Sequence, residues 1–120
     1  MNPIPFVPRK GEFFQIQKEI ERIIKILNIT IPIIHVKKDL YLIGTQKLII
    51  QFKQENMLIV RTGGGYFRFD EYIPTHHRFF ERTLLLHMIK SKESLEWVCD
   101  ALINDKKIPQ IHNPYEFREN

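Results

Sequence analysis

His76 and His77 stand side by side after Pro74, and His35 and His87 are placed elsewhere in the chain. Imidazole is a common metal ligand, so this group invites a metal reading. A zinc site, however, needs ligands that converge tetrahedrally, commonly Cys or His pairs at fixed spacing. Adjacent histidines project in different directions, and the spacing argues against a bound ion. Cys99 is the single cysteine. It excludes an internal disulfide and suits a reducing compartment. It falls on the apolar stripe of an expected helix with no base near it in sequence, so no nucleophile–base pair can be read. Gly63-Gly64-Gly65 make neither a Walker loop, since no Gly-Lys-Ser/Thr follows, nor a GxGxxG fingerprint. The reading is therefore non-enzymatic, with no cofactor, no metal and no catalytic residue.

Charge is the remaining chemistry. The chain carries net +4, and the excess is uneven: residues 1–62 hold ten Lys or Arg against five acids, residues 63–120 eight against nine. A basic half suits an acidic partner such as nucleic acid, anionic lipid or an acidic protein surface. No apolar run approaches the ~20 residues of a membrane span. The start, MNPIPFVPRK, lacks the order of a secretory signal.

The elements that would position these charges can be read from hydrophobic spacing. Phe13, Ile16, Ile20, Ile23, Ile24 and Leu27 recur at three and four, which predicts an amphipathic helix over 11–27 that ends at Asn28. Ile31 to Val36 is β-rich, and Pro32 confines it to an edge or a strand start. Leu40 to Ile43 is a second short strand, closed by Gly44-Thr45-Gln46. From Lys47 to Lys53 alternation puts Leu48, Ile50 and Phe52 on one face and Lys47, Ile49, Gln51 and Lys53 on the other. A polar break at Gln54-Glu55-Asn56 returns the chain through Met57 to Thr62. Three or four antiparallel strands in a meander result. Gly63, Gly64 and Gly65 then serve as a structural turn between this hairpin and a helical corner, in which Asp70 caps a short helix ended by Pro74. A second helix is expected over 76–90. A third is capped by Ser91, carries Leu95, Val98, Cys99, Leu102 and Ile103, has Lys106 and Lys107 at its C-terminal dipole, and stops at Pro109. The fold class is α+β: a small antiparallel β-sheet with an N-terminal helix packed on it and two C-terminal helices. Pro3, Pro5 and Pro8 make residues 1–10 an extended arm, and 111–120 read as a tail.

The segment from Leu40 to Phe80 resembles the growth-arrest-specific protein 2 related (GAR) domain. The residues that carry the likeness are Tyr41 to Gly44, then Val60-Arg61-Thr62-Gly63-Gly64-Gly65-Tyr66, where the family has Trp in the last place, then Asp70 to Ile73 and His76. With the preceding helix the resemblance covers roughly residues 12–80. It divides the chain into the arm, a GAR-like domain over 11–80, a helical extension over 81–110 packed on that domain, and the tail. It implies microtubule binding without catalysis, and the setting suggested is a stable array such as a ciliary axoneme, hence cytoplasm and cytoskeleton. Other cytoskeletal or axonemal proteins would be met through the arm and tail. Family members commonly bind zinc through cysteines that align with Leu27, Ile29 and Phe79. Here an apolar plug would replace the metal. The residues favoured for tubulin contact are Lys37, Lys38, Lys47, Lys53, Arg61 and Arg68. The rival reading is single-stranded RNA, with Tyr66, Phe67 and Phe69 as a stacking platform.

Overall fold

Burial of the isoleucine stripe sets the first packing contact. In the computed structural model, which describes residues 12–54 and 57–108, α1 runs Glu12–Leu27. Ile16, Ile20 and Ile23 are buried on its inner side. The helix closes on Asn28, whose positive φ of 55° lets its N–H reach the Lys25 carbonyl while Ile29 N–H bonds to that of Ile24 at 3.0 Å. Two carbonyls that the helix end would leave unpaired are satisfied in this way. The arm at 1–10, the break at Glu55-Asn56, the stop at Pro109 and the tail at 111–120 lie outside the described residues.

Five strands follow: β1 (Ile33–Lys37), β2 (Leu40–Ile43), β3 (Gln46–Gln54), β4 (Met57–Thr62) and β5 (Gly65–Arg68). They pair antiparallel in chain order, a simple meander. Residues that face one another across the register share a side of the sheet. One side carries Tyr41, Ile43, Ile50, Leu58 and Val60, flanked by Leu48 and Phe52, and joins the α1 stripe in the main core. The opposite side carries Leu42 and Ile59, which are also buried but lie outside that cluster. Leu42, on β2, is covered by α3 (Leu95–Ile103), which packs on β2 and on the preceding helix. Lys47, on the same side, donates to the Ile103 carbonyl at 3.1 Å and pairs with Asp105 at 2.9 Å. The sheet is thus clad on both faces.

Several expectations need correction. The strands number five, because Gly65–Arg68 turns back along β4 instead of leading into a helical corner. The glycines therefore lie within a second hairpin, with Gly63-Gly64 at its tip and Gly65 at φ +133°. The short helix and the one after it are a single helix, α2 (Phe69–Ser91), with Pro74 inside it. Phe69, Tyr72 and Ile73 before the proline and Phe80 after it all enter the main core, so packing on both sides carries the helix through. Its N-cap position is Arg68 without a side-chain cap, not Asp70. The cap of α3 is Ser94, whose hydroxyl accepts from Trp97 N–H at 3.1 Å. Ser91 is the last residue of α2. At the other end of α3, Lys106, which lies beyond the last turn, donates its N–H to the Ala101 carbonyl and its ammonium to the Asp100 carboxylate.

Tyr41 sits at the centre of the core face at 1% exposure, with its ring edge-on to His35. Its hydroxyl is buried without a hydrogen-bond partner. Burial, and then Asp39, push its pKa up, so the phenol stays protonated. An unsatisfied buried hydroxyl costs about 1–3 kcal/mol. Tyr41→Phe should therefore raise the thermal midpoint, with a gain of about 1 kcal/mol in urea unfolding.

Candidate functional site

The β4–β5 hairpin leaves one corner of the sheet open. Arg61 and Tyr66 face each other across its register, on the side opposite the main core. The Tyr66 ring is 58% exposed. The Arg61 guanidinium lies 5.3 Å from its centroid, and the Lys53 ammonium reaches 5.7 Å from it. Two cations over one accessible ring lie within cation–π range, about 6 Å. Thr62 fixes the turn beside them, its hydroxyl accepting from Gly64 N–H at 3.0 Å. The arrangement can hold an anionic group between the two cations while the ring offers a flat apolar surface.

The other charges read from the sequence are placed differently. Lys37 and Lys38 are exposed at the β1–β2 turn, on the far edge strand. Lys47 is committed to the end of α3. Arg68 is committed to Asp70 at 2.9 Å and lies 4.0 Å from Glu71. The three aromatics do not form one platform. Phe69 is wholly buried, and Phe67 packs toward Tyr72 on the core side at 5.8 Å, while Tyr66 faces away from it. Consecutive strand residues point to opposite faces, which the sequence allowed but did not decide without a fifth strand. Leu85 and Ile89, four residues apart on α2, and Leu95, the first residue of α3, are also exposed.

The histidines are dispersed. Thr30 donates its N–H to His77 Nε2 at 3.2 Å and its hydroxyl to Glu81 Oε2 at 2.7 Å. A backbone donor at Nε2 requires that nitrogen to be unprotonated, so the proton of the neutral ring sits on Nδ1. His76 Nδ1 donates to the Tyr72 carbonyl at 2.9 Å, and its ring stacks on Tyr72 at 4.1 Å. His35 Nε2 lies 2.7 Å from the Lys38 carbonyl, and His87 is buried farther along α2. Among the described residues no group of three His, Cys, Asp or Glu could hold an ion. Burial pushes the Cys99 thiol up, away from nucleophilic use. The expected apolar plug is only partly formed. Ile29 and Phe79 pack on the core, but Leu27, the last residue of α1, is 39% exposed. A polar clamp, Thr30 to His77 and Glu81, ties the end of α1 to α2 beside them. Thr30→Val should cost about 1 kcal/mol in denaturant unfolding, the size of one bond to a charged acceptor at an exposed site. Excess chelator should leave the melting curve in place, whereas structural zinc would make it collapse.

Comparison with protein families decides what the corner belongs to. The model of the growth-arrest-specific protein 2 domain matches residues 16–79, more than half of the chain. The chain belongs to this domain family. The GAR family is one of cytoskeletal association and not a family of enzymes. Its match takes in most of α1, all five strands and the first half of α2, and so includes Lys53, Arg61 and Tyr66. No curated protein and no solved structure matched the chain. Among the described residues no helix is long and apolar enough to cross a membrane.

Proposed function

We propose that this GAR domain binds microtubules without catalysis and that the β4–β5 corner is its principal contact with tubulin. The observation that carries the choice of surface is the convergence of Lys53 and Arg61 on the exposed Tyr66 ring. The family supplies the cytoskeletal partner class. Lys37 and Lys38 form a second, weaker contact at the opposite edge. Lys47 and Arg68 contribute little, because their charge is compensated within the chain. The setting we favour is a stable array such as a ciliary axoneme, in the cytoplasmic cytoskeleton. There the terminal segments would meet neighbouring proteins of the lattice.

Co-sedimentation with taxol-stabilised microtubules tests this. Lys53→Glu with Arg61→Glu should weaken pelleting about tenfold or more, since two attractive charges become repulsive. Lys37→Glu with Lys38→Glu should weaken it less. Neither pair touches the core, so melting curves should not move. Binding should fall from low to moderate salt, because exposed charges are screened over about 8 Å at physiological ionic strength. Pelleting indifferent to both reversals and to salt would refute the surface. No pelleting beside a gel shift with single-stranded RNA would replace the partner.

A further inference from the structure

The sheet has two outer edges, and they are built differently. At β1 the strand is preceded by Pro32, carries a bulge between His35 and Lys37, and ends in two lysines. Proline, bulges and edge lysines are the devices that stop another chain from pairing. At β5 there is no proline and its pairing with β4 is free of register shifts. All four residues, Gly65 to Arg68, are exposed.

Pairing fixes which backbone groups are open there. Thr62 and Gly65 flank the two-residue turn and pair with each other. In an antiparallel ladder hydrogen-bonded and non-hydrogen-bonded pairs alternate, and the pair that closes a two-residue turn is of the first kind. Arg61–Tyr66 and Ile59–Arg68 are then of the second kind. The N–H and C=O groups of Tyr66 and the N–H of Arg68 consequently turn away from β4 toward the open edge, while the Arg68 carbonyl, at the N-cap of α2, accepts the first bond of that helix. The same alternation brings the Arg61 and Tyr66 side chains close together.

We infer that β5 is a strand-addition site for an extended acidic polypeptide, which pairs with the N–H and C=O of Tyr66 and the N–H of Arg68 while its carboxylates meet Arg61 and Lys53 beside the Tyr66 ring. Main-chain bonds would supply affinity and alternate side chains the selectivity, as in other strand-addition complexes. The charge at the corner selects an acidic chain over a neutral one. Asp70 and Glu71 hold Arg68 at the far end of the strand and repel carboxylates there, so the acidic run is registered toward the turn. The inference rests on the microtubule reading and names the occupant as the glutamate-rich tail of tubulin.

The test uses the full chain and a labelled acetylated oligoglutamate as the probe. Anisotropy should show binding that falls about tenfold for Lys53→Gln with Arg61→Gln. It should fall similarly for an N-methylated oligoglutamate, which keeps the charge but cannot pair as a strand. Amide exchange at Tyr66 and Arg68 should slow on binding, while that of Phe67, turned toward β4, should not change. Equal binding of the methylated probe, or unchanged exchange at both amides, would overturn strand addition. So would protection of those amides without probe in step with dimer formation, since a second copy would then hold the edge. Subtilisin-treated microtubules separate the two levels. Undiminished pelleting on tail-less microtubules, with no probe binding, sinks the strand-addition site and leaves the microtubule reading intact. Probe binding with the exchange pattern above, but no pelleting on either lattice, keeps the site and removes the microtubule.

Discussion

Gly44→Ala should destabilise the domain by about 2–5 kcal/mol, on the scale of the whole stability of a small domain. Two costs combine. Gly44 has φ +62°, a conformation that charges a residue with a Cβ about 1–2 kcal/mol. A Cβ there would also sit 2.3 Å from Cγ of Phe80, whose ring is wholly buried in the main core. Overpacking of that kind adds about 1–3 kcal/mol. Neither side can yield readily, since Gly44 N–H is bonded to the Pro32 carbonyl at 2.9 Å and Phe80 is fixed on α2. Urea unfolding of the single and double variants checks the account. Phe80→Ala alone should cost about 3–5 kcal/mol. Gly44→Ala with Phe80→Ala should cost less than the sum, because the colliding ring has gone. Gly63→Ala and Gly64→Ala should be close to neutral, since a Cβ on Gly63 meets nothing within 4 Å, one on Gly64 meets only Thr62 Oγ1 at 3.7 Å, and neither has positive φ. Additive costs for Gly44 and Phe80 would show that the ring is not what Gly44 makes room for.

Pro74→Ala should have the opposite sign. Pro74 is the sixth residue of α2 and is exposed. It has no N–H to offer the Asp70 carbonyl one turn back, and its ring crowds that group. Such a residue inside a helix costs about 3 kcal/mol. Alanine would restore the bond and lose little packing. The unfolded chain would gain freedom worth about 0.4–1 kcal/mol, which offsets part of the benefit. A net gain of about 2 kcal/mol in urea unfolding is expected, with an unchanged slope. A loss would mean that the bend at Pro74 is required to seat Phe69, Tyr72 and Ile73 together with Phe80.

These two positions also show where sequence reading stops. The isoleucine stripe of α1 and the alternation of β3 are local signals, and both describe what is buried. Pro74 is a local signal for a helix end, but core contacts on either side outweigh it. Gly44 faces a ring on another element, and nothing near it in sequence announces Phe80. The glycine triplet stands out by composition, yet Gly63 and Gly64 have room for a side chain. The fifth strand was illegible because all its residues are exposed, so no apolar alternation marks it. Its partner is assigned only by the two-residue turn. The candidate site shared that fate: Lys53 and Arg61 could be placed on or near the hairpin faces, but their meeting at Tyr66 requires β5 to be a strand. Two serines three residues apart, Ser91 and Ser94, can each cap a helix, and only the backbone chooses.

Cladding on both faces separates what can be recognised from what can be excised. A fragment ending at residue 79 would retain every strand, yet it would sever α2 midway and strip away α3. Leu42, wholly buried beneath α3 on β2, would then face water, and Lys47 would lose both of its acceptors. Grafting this domain into another protein therefore means carrying the chain to the end of the α3 turn, through Lys106. A shorter graft would present a fresh apolar surface next to the basic corner, and any microtubule pelleting it showed would be contaminated by stickiness.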